Sequence, residues 1–285
     1  MFRAYFDRSE LGAPADVVAV SGYLSAEEHW AAFERAWNQT LNEFGVDTFH
    51  MTEFECRLGS FKGWEQARRT ELLSRLIDLI ANHALVAIGA ALVVADYNAL
   101  EPAEQARLGR PYVMCGLKAV ADTLRWIDER IDRAVATGEW KVTERGKRVP
   151  VEFVFEAGDE GAGELAELLR NEQESGMFAG RIMRVSFEPK QVGALQAADF
   201  AAYETTKQLV RTIGADERTT RKSLEALVER VPYVAEYFDR RSMGELLSRQ
   251  QADDCSRSPN AVQQRPNTRE KQGSSDTREQ DESTT

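Results

Sequence analysis

Apolar and polar residues alternate from Arg3 to Asp7, and a Val-rich alternation runs from Asp16 to Leu24. Both patterns predict strands, and the polar stretch Ser9 to Ala15 between them suits a hairpin turn. From Ala26 to Phe44 the apolar positions fall at helical spacing, with Ser25 placed as N-cap and Glu28 at the capping-box position. Residues 45–63 carry Gly45, Gly59 and Gly63 among aromatics and read as an irregular loop. Trp64 to His83 is a second amphipathic helix, followed by an apolar strand from Leu85 to Val94. Helical spacing returns over Pro111 to Arg133. After a basic loop, Lys141 to Arg148, come a strand (Val149 to Glu156), a helix (Gly161 to Ser175) and another strand (Arg181 to Phe187). Two helices, Val192 to Ile213 and Thr219 to Arg230, close the pattern. Interleaved strands and helices with an early antiparallel pair predict an α/β domain built on a mixed sheet.

Composition adds a boundary. From Gln250 to Thr285 the chain has a single Val and no aromatic residue, too little apolar surface to offset the entropy of ordering. One domain over residues 1–249 and a disordered tail over 250–285 are therefore expected. The 42% hydrophobic content of the chain as a whole supports a sizeable core. A net charge of -11 gives no global attraction for phosphate backbones, so a nucleic-acid partner needs a local basic surface. Cys56, Cys115 and Cys255 form no clustered spacing, which fits a reducing compartment. The opening residues lack the apolar core of a signal peptide, and the most apolar run, Ala84 to Ala95, is too short to span a bilayer. The expectation is a soluble cytoplasmic protein with no membrane partner. Nucleophile elbow, P-loop and dinucleotide fingerprint are all missing.

Three carboxylates stand where an apolar side chain would otherwise pack, and an ionised group there needs a cation, donors or water. In the first strand Phe2, Ala4 and Phe6 share one face, and Arg3, Tyr5 and Asp7 the other. In the later strand Val151, Phe153 and Phe155 oppose Glu152, Val154 and Glu156. If the two strands are parallel neighbours, Asp7 and Glu156 emerge at the same end of the sheet, where open α/β sheets place their sites. Asp199 falls within the inward helical stripe of Leu195, Ala198, Ala202, Thr206 and Leu209, and small Ala198 and Ala202 let that helix lie close to the sheet. Three converging anions would be relieved by a divalent cation. The plainer alternatives are Asp7 capping a turn with Ser9, Glu156 exposed in a loop, and Asp199 paired with a lysine or with an arginine such as Arg3. Around these lie weaker candidates. His50 and Glu53 sit one helical turn apart, a permissible ligand pair or a surface turn. Asp159 precedes a helix, where acids favour the dipole. Lys62, in Phe61-Lys62-Gly63-Trp64, is long enough to reach a phosphate.

Tyr5-Phe6-Asp7-Arg8-Ser9, Phe49-His50-Met51-Thr52-Glu53-Phe54 with Phe61-Lys62-Gly63-Trp64, Val154-Phe155-Glu156-Ala157-Gly158-Asp159-Glu160-Gly161 and Leu195-Gln196-Ala197-Ala198-Asp199 occur in this order. In content and order they resemble domain-of-unknown-function family 3800 over roughly residues 1–210. The resemblance implies an RNase H-like fold: a five-stranded mixed sheet that begins with three antiparallel strands and has its acidic site where strands one and four meet. It implies that Asp7, Glu156 and Asp199 are the acids of strand one, strand four and the late helix. They would hold Mg2+ or Mn2+ for a nuclease or other phosphodiesterase, with His50, Glu53 or Asp159 assisting and Lys62 positioning a phosphate. The chain reads Asp7-Arg8-Ser9-Glu10 where the family usually has Asp-Glu-Ser-Gly, so Arg8 replaces an acid beside the site. That replacement and the net charge motivate a second expectation, a non-catalytic module that binds a nucleic acid or a protein.

Overall fold

A computed structural model describes residues 1–12, 15–139, 149–174, 176–214 and 220–257. The tip of the first hairpin, the basic loop Lys141 to Arg148 and the tail from residue 258 lie outside the described residues. The chain forms a six-stranded mixed sheet with helices on both faces. Strands β1 (Phe2–Gly12), β2 (Ala15–Ala26) and β3 (Val86–Val93) are successively antiparallel. Strands β4 (Val151–Glu156) and β5 (Ile182–Glu188) continue beyond β1 in parallel, and β6 (Tyr233–Phe238) lies parallel to β3. The order across the sheet is β5-β4-β1-β2-β3-β6.

The expected count of five strands is thus one short. Strand β6 is a half-exposed edge strand whose sequence, Tyr-Val-Ala-Glu-Tyr-Phe, lacks a clean apolar alternation, because only one side of it pairs and little of it is buried. The first hairpin is also longer than its pattern. Ser9 to Gly12 stay paired with β2, so Asp7 lies within β1 rather than at its end. Gly22 of β2 permits the close pairing there, since a Cβ on it would lie 1.7 Å from the Tyr5 carbonyl oxygen.

Period-two alternation splits the core into two layers. Ala4, Phe6, Ile88, Phe153 and Phe155 pack with helix α6 (Pro111–Ala136), through Val113, Val120 and Leu124. Tyr5, Tyr23, Ala87 and Val154 face the opposite layer, made of α1 (Glu27–Glu43), α3 (Gln66–His83) and α8 (Gly193–Ile213). Helix α1 starts without the cap expected of Ser25. Strand β2 runs straight into it, the Met1 carbonyl accepts the Glu27 N–H at 2.9 Å, and the Ser25 hydroxyl donates to the His83 carbonyl instead. Residues 45–63 are less irregular than expected, since they contain α2 (Met51–Cys56) and a 3-10 turn, Gly59–Phe61. Two further short helices, α4 (Val94–Asn98) and α5 (Pro102–Leu108), follow β3. Helix α7 (Ala162–Glu174) precedes β5, and α9 (Lys222–Val228) follows α8. The last helix, α10 (Arg240–Arg257), continues past the compositional break at Arg249. No helix among the described residues is long and apolar enough to cross a membrane.

Candidate functional site

Parallel pairing of β1 with β4 puts Phe6 opposite Phe155, so the next residues, Asp7 and Glu156, stand side by side on the face covered by α8. Helix α8 is fixed at its start by Glu34 of α1, whose carboxylate accepts the Gly193 and Ala194 N–H groups at 3.0 and 2.9 Å. An acid at a helix N-terminus satisfies unpaired donors and complements the dipole. Two turns later α8 presents Asp199 to the same point. There Lys190, from the turn between β5 and α8, binds all three acids. Its Nζ lies 2.5 Å from Asp7 Oδ2, 2.5 Å from Glu156 Oε2 and 3.5 Å from Asp199 Oδ1. The opposite oxygens are held by the backbone: Asp7 Oδ1 accepts the Arg8 N–H at 2.8 Å, and Asp199 Oδ2 the Met51 N–H at 2.6 Å. Each of these aspartates therefore turns one oxygen toward the shared cation, and Glu156 adds a third.

Burial pushes the Asp7 carboxyl well above the ordinary carboxylate range, and its hydrogen bond with Glu156 acts in the same direction against the pull of Lys190. For Glu156 burial works against ionisation, but hydrogen bonds from Asp7 and Lys190 outweigh it and lower its pKa. The two neighbouring acids are thus shifted in opposite directions, Asp7 upward and Glu156 downward. Burial also opposes the charge on Lys190, yet the Asp199 and Asp7 carboxylates hold its ammonium above the usual range. Among the described residues no group of three or more His, Cys, Asp and Glu side chains stands as a ready-made metal site. The ammonium keeps the three acids gathered around itself.

The other predicted residues divide. His50 stands at the rim, 40% exposed, with Nδ1 3.9 Å from Asp199 Oδ2. Asp159 lies beside the site through Arg8, whose Nη1 is 3.8 Å from Asp159 Oδ1, and burial raises its pKa. Glu53 packs its carboxylate against Gly59, where positive φ and the absence of a Cβ leave room for it. Lys62 is exposed, and neither it nor Glu53 forms an ion pair or hydrogen bond with the three acids. The plainer alternatives also resolve. Asp199 pairs with a lysine, but not with Arg3, which binds Glu152 at 2.6 Å and reaches Glu27. Glu156 is half-buried on the strand end rather than in an exposed loop.

Two residues that shape the site were given no part in it by the sequence. Lys190 carried no signal beyond standing just before the helix that bears Asp199. Gln196, one turn before Asp199, accepts the Phe49 N–H at 2.8 Å and the Trp37 Nε1–H at 3.0 Å. Gln196 and Asp199 therefore seat residues 49 and 51 on α8, which brings His50 to the site. Arg8 turns its guanidinium away from Asp7, toward Glu10 and Asp159, and lies over the Tyr112 ring. Comparison with protein-family models finds no match to this chain, and comparison with curated proteins finds none either.

Proposed function

We propose that the chain is a divalent-metal-dependent phosphodiester hydrolase, a nuclease of RNase H-like fold. The observation that carries this reading is the cation position itself: three carboxylate oxygens from β1, β4 and α8 meet at one point, now filled by Lys190 Nζ. Hard oxygen donors around a single point of positive charge are the donor set that Mg2+ or Mn2+ takes. Bound to Asp7, Glu156 and Asp199, such an ion would supply an activated water and a counter-charge for the leaving oxygen. The strand order supports the fold assignment, and with it the resemblance to domain-of-unknown-function family 3800. Three antiparallel strands open the sheet, the fourth lies parallel to the first, and β6 is an addition at the far edge.

The chain's own side chains have distinct parts in this reading. The backbone donors on Asp7 and Asp199 fix the rotamers that aim their free oxygens inward. Lys190, on a long flexible stem, offsets part of the acids' charge at rest and would offer its own to a substrate phosphate once it swings aside. His50, partly open to solvent beside Asp199, is placed to carry a proton. Arg8, held by Glu10 and Asp159, contributes no positive charge directly between the three acids. The free cysteines Cys56 and Cys115 are in keeping with a cytoplasmic enzyme.

Purified protein incubated with DNA and with RNA in Mn2+, beside an Asp7→Asn/Asp199→Asn variant, tests the proposal. Wild type should cleave at least one of the two, with the variant slower by about a hundredfold or more, the usual scale for loss of a preorganised charge at the reacting centre. Equal rates in both would reject it. A second reading, a non-catalytic binding module, is favoured by the same Lys190, because an acid cluster that holds a cation of its own is gathered without a metal. In that case partner binding survives the Asp7→Asn/Asp199→Asn variant, which keeps the shape of the site.

A further inference from the structure

A cavity of about 380 Å³ opens between α2, α3 and the start of α9, lined by Phe54, Glu55, Arg69, Leu73, Arg221 and Lys222 among others. It runs against the character of the chain, which is strongly acidic overall. Three cations line it, and Arg57 stands at its edge with Nη2 3.4 Å from Gln66 Oε1. Glu55 is the acid in its wall, and Arg221 holds it at 3.0 Å while binding the buried Glu204 at 2.9 Å. Arg221 is therefore a neutralised strut. Arg69 is the second fixed cation: its Nη2 donates to the Phe54 carbonyl at 2.8 Å, its guanidinium lies over the Phe54 ring, and its Nε has no partner among the described residues. Lys222 is exposed and forms no ion pair among the described residues. The net result is a local excess of positive charge around a concave wall that also offers apolar surface at Leu73.

We infer that this cavity binds a phosphate-bearing ligand of nucleotide size, with Lys222 and Arg69 supplying the charge and Arg57 guarding the entrance. The volume lies within the range of small-molecule sites, and an apolar wall with a few convergent cations suits a base or sugar joined to a phosphate. Its position gives the site a meaning. Helix α2 begins at Met51, whose N–H Asp199 holds, and reaches Glu55 in the cavity wall four residues later, a rise of about 6 Å. The cavity and the acidic cluster are thus joined by one rigid turn of helix. The same chemistry comes from two sources, a flanking nucleotide of a strand that runs on to the acids or a free nucleotide.

The test is run in EDTA, so that binding is read without cleavage and stands apart from the hydrolase proposal. Fluorescence anisotropy follows a short labelled single-stranded DNA, with AMP and inorganic phosphate as competitors, on the full chain. Wild type should bind the strand, and inorganic phosphate should compete. Lys222→Glu should weaken binding by about tenfold, the scale of one charge-assisted hydrogen bond, while Lys222→Arg stays close to wild type. AMP binding as tight as the strand assigns the cavity to a free nucleotide, and a much tighter strand assigns it to nucleic acid. Unaltered binding in both Lys222→Glu and Arg57→Glu, or no binding of any probe by wild type, overturns the inference. A protein that cleaves but whose Lys222→Glu variant binds normally would sink this site and leave the hydrolase reading standing.

Discussion

Lys190 decides how the three acids are to be understood. Asp7 is only 2% exposed, and a buried carboxyl beside two others is costly unless a cation meets it. The lysine does so, with its own side chain 10% exposed. Removing one partner of a buried ionic cluster costs about 3–5 kcal/mol, because the others are left uncompensated. At roughly 2–4 °C per kcal/mol for a domain of this size, Lys190→Ala should lower the melting temperature by about 6–20 °C in metal-free buffer. Millimolar Mn2+ should recover much of that loss, since the ion takes over the position of the ammonium. A melting temperature that Mn2+ leaves untouched in this variant would mean that the acids suit an ammonium and nothing else.

At the scale of elements, the site rests on how α8 grips the segment before α2. Gln196 takes two buried N–H groups, from Phe49 and Trp37, and each left unsatisfied costs about 1–3 kcal/mol. Gln196→Ala should therefore destabilise the protein by about 2–6 kcal/mol in urea unfolding and speed hydrogen exchange at the Phe49 amide. Stability within about 0.5 kcal/mol of wild type, the range of an ordinary surface change, would show that the grip is not needed. The acids themselves were legible because Asp7, Glu156 and Asp199 interrupt apolar faces whose period betrays strand or helix. Their meeting rested on β1 and β4 being parallel neighbours, a condition the sequence left open and the sheet meets. Lys190 was not legible, because a lysine between a strand and a helix looks like any solvated one, and only the fold brings it 183 residues back to Asp7. Strand β6 was missed because an edge strand needs no apolar alternation. The N-cap assigned to Ser25 failed because the β2 backbone enters α1 directly and leaves the hydroxyl free for the His83 carbonyl.

Across the whole molecule, two layers of core clamp one sheet, and the proposed chemistry sits where β1, β4 and α8 converge. The sheet's outer strands carry charge, with Glu236 on β6 paired to Lys118 and Arg125, and Arg184 on β5 facing solvent. Charged edges discourage further strand pairing. A cationic inlet that meets one or two phosphates would give a strand bound there only a shallow salt dependence. The central claim is that the point now held by Lys190 Nζ is a divalent-cation site. Calorimetric titration of Mn2+ into the metal-free full chain and into the Asp7→Asn/Asp199→Asn variant measures this directly. Saturable binding in wild type that disappears in the variant is the predicted result. Absence of binding in wild type, or equal binding in the two proteins, would contradict it.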